Sequence, residues 1–264
     1  MAFSADILEG ELSTLRFGRA CRILRETPST IDAAWEWLRA GGPEGAVVVA
    51  DRQTRGRGRL GRAWASPEGG LWMTVVSRPG LAAREGGRLG IGLALAAAEG
   101  VAAATGLGPQ VKWPNDIVLG GRKVGGVLVE TEVAGGTIEA ATLSLGLNVN
   151  VSLADLPEQV RPTAGSLREA AAGELSLEAV AAQVLEHLER IWPLVLGQGA
   201  ALAARWREWD ALAGAEVCVQ RRGDEVRGRV IGVDRDGALV LGTPGGEQRV
   251  EVGEVHLVRA QRRC

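Results

Sequence analysis

The chain has 264 residues, 46% of them hydrophobic, and a formal net charge of -2. That is enough apolar material for one sizeable core and a small second domain, and it leaves no overall field to attract nucleic acid or an anionic membrane. The three cysteines, Cys21, Cys218 and Cys264, are far apart and lack CxxC spacing, and the only histidines are His187 and His256, so a disulfide framework, a zinc site and a histidine metal cluster are all excluded.

In chain order, the N-terminus is acidic where a secretory leader is basic and apolar, so the chain is expected in the cytoplasm. After an amphipathic opening, Pro28-Ser29-Thr30 precedes a helical pattern over Ile31–Ala40, with Ser29 or Thr30 placed to cap it. A buried strand, Gly45–Ala50, leads into an arginine-rich loop; Leu71–Ser77 reads as a second strand. The segment Leu89–Gly108 is as long as a membrane span, but its Ala and Gly content and soluble flanks mark it as a buried core helix. Strands Gln110–Trp113 and Asp116–Leu119 surround a Trp-Pro-Asn-Asp turn, and Lys123–Thr131 and Thr137–Val149 follow. Tight turns between neighbouring strands predict a mixed, largely antiparallel sheet.

Helical periods return over Leu175–Leu196 and Ala200–Leu212 and stop at Gly214, a suitable C-cap. Beyond it, strands at Glu216–Gln220, Glu225–Val233, Ala238–Gly242 and Glu247–Val258 alternate with turns at Arg222-Gly223, Asp236-Gly237 and Pro244-Gly245-Gly246. The expected organisation is an α+β domain over residues 1–213 and a small SH3-like barrel over 214–264.

The loop Gly56-Arg57-Gly58-Arg59-Leu60-Gly61 fits G-x-G-x-x-G, yet no helix can begin at its last glycine, which excludes a dinucleotide turn. Five arginines, Arg52, Arg55, Arg57, Arg59 and Arg62, fall within eleven residues with no acid among them. Guanidinium forks beside glycines suit carboxylate or phosphate, and such a loop is expected to be mobile without a ligand. A solvated surface loop is the plain alternative. RNA binding would need stacking aromatics, and only Trp64 is at hand.

Of 30 basic residues only two are lysines, and both, Lys112 and Lys123, lie within twelve residues of each other. A compact ammonium can approach a single oxygen at a reaction centre, so the pair is a candidate for phosphate contacts, with chance clustering as the alternative. Asn115 and Asp116 between them offer hard oxygens suited to Mg2+, although Asp116 equally suits a turn cap. Gly125-Gly126 lets a ligand lie against the backbone.

Three segments, Gln53 to Arg62, Lys112-Trp113-Pro114-Asn115-Asp116 and Arg122-Lys123-Val124-Gly125-Gly126-Val127-Leu128, resemble the biotin protein ligases. The likeness continues through Pro28-Ser29-Thr30, Ser66 to Leu71, Gly146-Leu147-Asn148-Val149-Asn150 and Gly232 to Leu239. It implies the biotin/lipoate ligase fold, similar to class II aminoacyl-tRNA synthetases. It also implies a two-step reaction: biotin and ATP give biotinyl-5'-AMP, and a lysine of a biotin carboxyl carrier protein then takes the biotinyl group.

The resemblance implies roles for individual residues. Ser29, Thr30 and Gln53 would hold the ureido ring. Gly56, Arg57, Gly58 and Arg59 would wrap the carboxylate or acyl phosphate, Lys123 would reach the reacting oxygens, and Gly126 would line the biotin cavity. Arg62, Trp64, Lys112, Asn115, Asp116 and Asn148 would lie on the nucleotide side, with Asp116 nearest Mg2+, Lys123 and Arg59 catalytic, and Trp64 alternatively a core aromatic. Ile31 departs from the family, which often has Asn there. Ser29 comes too early for a preceding winged helix, so no DNA binding is expected, and a homodimer is one of the states the sequence allows. A lipoate ligase and a nucleic-acid-binding adaptor are the competing readings.

Overall fold

The structure is a computed structural model that describes residues 3–221 and 224–258. Its elements run α1 (Ala5–Glu11), β1 (Cys21–Thr27), α2 (Thr30–Arg39), β2 (Val47–Gln53), β3 (Leu71–Ser77), β4 (Leu81–Ala82), α3 (Gly87–Thr105), β5 (Gln110–Lys112), β6 (Asp116–Leu119), β7 (Arg122–Ala134) and β8 (Thr137–Leu147). After these come α4 (Leu167–Ala171), α5 (Leu177–Gly197), α6 (Gly199–Trp209), β9 (Glu216–Arg221), β10 (Asp224–Val233), β11 (Leu239–Thr243), β12 (Gly246–Val250) and β13 (Glu254–Leu257).

The first eight strands form one sheet in the order β1-β2-β3-β8-β7-β6-β5, with β4 paired to β8. Only the β1–β2 pair is parallel. The α+β class and the largely antiparallel sheet expected from the sequence therefore hold. Strand period sorts the side chains: Val47, Val49, Met73 and Val75 join the core under α3 and α5, whereas Ala46, Val48 and Val76 pack beneath α2. The apolar helix α3 is buried against α5, as its composition predicted, and stops at Gly106 in the left-handed region at φ 71°. Helix α2 covers only one end of the second face. The rest of that face carries no helix and is covered by loops, and the candidate site lies beneath them.

Besides the two-residue β4, two elements escaped the sequence reading. β1 is a half-exposed edge strand whose Arg22, Arg25 and Glu26 hide its apolar residues, and α4 is a five-residue helix, too short to show a period. The run expected as one strand over Glu247–Val258 is two strands, β12 and β13, split at residues 251–253. The expected Arg222-Gly223 turn and Cys264 lie outside the described residues.

Strands β9 to β13 form a separate antiparallel sheet in the order β12-β11-β10-β9-β13. Its β10–β11 turn is wedged into the larger body. Arg88, 5% exposed on α3, donates through Nε to the Arg235 carbonyl at 2.8 Å and through Nη2 to Asp236 at 3.0 Å and Glu85 at 3.1 Å. Trp113 Nε1 donates to the Gly237 carbonyl at 3.1 Å. This approach requires glycine at two helix starts, since a Cβ on Gly87 would stand 2.4 Å from the Asp236 oxygen and one on Gly199 2.0 Å from the Arg235 oxygen. Gly87→Ala and Gly199→Ala are each expected to cost about 1–3 kcal/mol by overpacking, read as a lowered urea midpoint, while alanine at exposed Gly10 costs far less.

The N-terminal segment is tied to α5 by carboxylates. Glu189 accepts the backbone N–H groups of Leu15, Arg16 and Phe17 at 2.8, 3.0 and 3.0 Å, and Glu186 accepts that of Ser13 at 3.0 Å. Burial pushes both carboxyls up, but these hydrogen bonds outweigh it and hold them below the usual carboxylate range. A depressed folded-state pKa stabilises above the unfolded value and is lost as pH falls. Unfolding midpoints are therefore expected to drop as pH goes below about 4.5, and Glu189→Gln is expected to flatten part of that slope.

Candidate functional site

A row of residues runs straight across the loop-covered face of the sheet. Lys112 pairs with Asp116, Asp116 with Gly126, Gly126 with Gly146, and Gly146 with Trp72. Ladder partners point to the same face, so two glycines in mid-row leave a trough with charged groups at one end. Above it lies a cavity of about 660 Å³, roofed by the arginine loop and by residues 156–164. Trp64 lies on the bare backbone of Gly146, where a Cβ would come within 2.6 Å of its Nε1.

One end of the cavity is neutral and hydrogen-bonded. The Thr30 hydroxyl lies 2.8 Å from that of Thr74, which lies 3.1 Å from the Ser144 hydroxyl. Gln53 Oε1 accepts the Thr30 N–H at 2.8 Å and its hydroxyl at 3.1 Å, and Gln53 Nε2 donates to Ser66 Oγ at 2.8 Å. α2, β2, β3, β8 and the loop thus share one amide and hydroxyl network, whose rigidity suits recognition of a neutral polar group.

The other end is cationic. Six basic side chains line the cavity, Arg55, Arg57, Arg59, Arg62, Lys112 and Lys123, against two carboxylates, Asp116 and Glu254. Lys123 Nζ lies 2.5 Å from Asp116 Oδ1 and 5.2 Å from the Trp64 ring centre. Lys123 and Gly126 are three apart, a spacing that a regular strand sends to opposite faces. A register irregularity between β6 and β7 at Ile117/Val118 lets both reach the same cavity. Arg59 donates to Asn115 Oδ1 at 3.3 Å; burial draws its pKa down, and the nearby Asp116 and Glu254 oppose this. It remains a partly desolvated cation, which favours an incoming anion.

All the residues predicted for the site line this cavity except Ser29. Ser29 is fully buried behind the wall, where its hydroxyl accepts the Ile31 N–H at 3.3 Å and caps α2. Arg57 lines the cavity, but its guanidinium is paired with Asp32 at 2.8 Å and Glu130 at 3.6 Å, neither of which lines it. The loop itself closes as a hairpin, with Gly58 N–H donating to the Arg62 carbonyl at 2.7 Å and Trp64 N–H to that of Gly56 at 2.9 Å. Two buried polar atoms of residues that line the cavity, Trp64 Nε1 and Asn148 Oδ1, have no hydrogen-bond partner in the protein. Such atoms are costly unless a ligand meets them.

Sequence reasoning missed Ser144, a hydroxyl in a largely apolar strand run, and Glu254 and His256 of β13, which help to wall the cavity. Arg62 pairs with Glu254 across that seam. Among the described residues no group of three or more His, Cys, Asp or Glu could cage a metal. Asp116 alone fits a Mg2+ that is held mainly by phosphates and water.

A ligase class is defined by this fold and site together. Residues 23–150 match the biotin/lipoate A/B protein ligase family, and residues 213–258 match the biotin protein ligase C terminal domain. The biotin--[acetyl-CoA-carboxylase] ligase of Paracoccus denitrificans is 30% identical over 223 residues, 80% of this chain and 89% of that protein. The bifunctional ligase/repressor BirA of Bacillus spizizenii is 29% identical over 254 residues, 93% and 78% of the two chains. The biotin protein ligase from Aquifex aeolicus, solved with biotin and ATP, superposes with a TM-score of 0.78 at 28% identity, covering 92% of this chain and 100% of that one. The chain belongs to the biotin protein ligase family and is a ligase enzyme.

The neutral end depends on Thr30. Thr30→Val keeps the shape but removes the hydroxyl's bonds to Gln53 Oε1 and Thr74, each of which keeps its other partner, so it is expected to cost about 0.5–1.5 kcal/mol in urea unfolding, while Thr30→Ser keeps most of the parent's stability.

Proposed function

We propose that the chain activates biotin with ATP to biotinyl-5'-AMP and then transfers the biotinyl group to a lysine of a biotin carboxyl carrier protein. The observation that carries this reading is the single cavity with a neutral amide and hydroxyl end and a cationic end, joined over a glycine floor. An amphipathic substrate with a ureido head and a carboxylate tail has that polarity. Lys112, Asn148 and the arginines at the cationic end leave room for a phosphate-bearing second ligand there.

In the first step a biotin carboxylate oxygen attacks the α-phosphorus of ATP, the bond to the β-phosphate breaks, and pyrophosphate leaves with the bonding pair. Two anions must meet, and the site must steady the charge that builds on the phosphorus oxygens. Lys123 and Arg59 are assigned that role, Lys112 and Asn148 the nucleotide side, and Thr30 and Gln53 the ureido ring. Asp116 would be the protein ligand of a Mg2+ held on the phosphates, which supplies further charge neutralisation. Until the phosphates arrive, Asp116 holds Lys123 in place through their ion pair.

In the second step the neutral amine of the acceptor lysine attacks the acyl carbon, the bond to the phosphate oxygen breaks, AMP leaves, and the amine sheds a proton. The arginine loop lies over the mixed anhydride and keeps water from competing. The same reading divides the chain at Gly214, with β13 closing the nucleotide side, and places the enzyme in the cytoplasm.

Mass spectrometry of a purified carrier domain incubated with enzyme, biotin and MgATP is expected to show one added biotinyl group on one lysine, and no addition would remove the acceptor assignment. Pyrophosphate exchange into ATP is expected with biotin and absent with lipoate. Lys123→Ala is expected to slow adenylate formation by at least about 10²-fold in single turnover, with the unfolding midpoint unchanged; parental kinetics in this variant would remove Lys123 from the chemistry.

A further inference from the structure

The arginine loop is pinned at three places. Arg59 reaches inward to Asn115, Arg62 reaches Glu254 on β13, and Arg57 reaches Asp32 in the first turn of α2 and Glu130 on β7. The third pin lies in its own groove on the surface, which shares only Arg57 with the cavity. Here one guanidinium spans two carboxylates from different elements, Nη1 to Asp32 Oδ1 at 2.8 Å and Nη2 to Glu130 Oε1 at 3.6 Å.

An isolated exposed ion pair contributes little, because two long side chains must be ordered to form it. This one is different in two respects. Glu130 is already oriented, since its other oxygen accepts the Trp35 indole N–H at 3.0 Å and Trp35 is only 8% exposed. Asp32 is a short side chain on a helix whose first turn is fixed by the Ser29 cap. Much of the ordering is thus present before Arg57 arrives, and its planar fork meets two fixed acceptors. Arg57 also pairs through its backbone with Ala63, so holding its side chain holds the closed form of the loop.

We infer that Asp32 and Glu130 are positioning residues that clasp Arg57, keep the loop shut over the cavity and set how slowly the acyl-adenylate escapes. This rests on the function proposed above for the cavity, but the clasp itself is a property of the ligand-free chain. Asp32 and Glu130 do not touch the reacting groups, so they govern retention and leave the first chemical step alone.

The test uses the full chain with Asp32→Asn and Glu130→Gln combined. Two rates are read: tryptic cleavage within the 55–62 loop of the ligand-free protein, and release of biotinyl-adenylate formed in a single turnover. Both are expected to rise about tenfold, while the rate of adenylate formation stays within about twofold of the parent. The parent's release is expected to quicken with added salt and the double variant's is not, because exposed pairs are screened. Asp32→Glu is expected to behave as the parent. Unchanged loop cleavage overturns the clasp whatever the ligand. Slower release overturns it too, because the carboxylates would then be competing with the ligand for Arg57. Faster cleavage in a chain whose parent makes no adenylate supports the clasp and refutes the biotin reading instead.

Discussion

Like charges gathered in one half-buried cavity repel one another, and the arrangement of this site follows from how that repulsion is met. Six cations face two carboxylates inside the cavity, so part of the compensation comes from outside it. Arg57 is answered by Asp32 and Glu130, and Arg62 by Glu254. Arg59, Arg55 and Lys112 have no carboxylate within ion-pair distance among the described residues, and Arg59 is partly stripped of water as well. Lys123 is answered by Asp116, so the half-buried cations left without a close carboxylate are Arg59 and Lys112, where an incoming anion gains most.

A second constraint is geometric. Two glycines, Gly126 and Gly146, sit opposite each other in mid-sheet and turn what would be a flat apolar face into a trough. A side chain at either position would divide the neutral end from the cationic end, which must communicate if one substrate is to span both. The trough is held level by the core beneath it, where Leu143, Leu145, Leu147 and Val127 pack towards α3. Site and core are therefore two faces of the same strands.

Much of this was legible in the sequence, and for identifiable reasons. Glycines beside arginines and two lysines in an arginine-rich chain are local signals, so the loop, Lys112, Lys123 and the turn between them could be marked as a group. The sheet and its helices followed from period. What stayed hidden depends on long-range geometry. The Ile117/Val118 irregularity that brings Lys123 over the trough leaves no trace in residue type. Ser29, assigned to the ureido ring by the resemblance, also caps α2 and sits fully buried beside the cavity, a second role that its residue type alone does not separate from the first. The arginine loop looked uncompensated because its partners lie 25, 73 and 192 residues away along the chain at Asp32, Glu130 and Glu254. β1 was missed because an edge strand has no need of a continuous apolar pattern.

The turn at Asp234–Gly237 is seated between the starts of α3 and α6 and receives the Arg88 guanidinium. A chain ending at residue 213 would remove two of the three acceptors of Arg88 together with the turn that covers it, and it would also leave Trp113 Nε1 without its partner. The larger sheet is therefore not a portable module in the engineering sense. The turn at Trp113 beside the cavity is finished by residues beyond Gly214, so a cut there is expected to disturb the larger sheet itself.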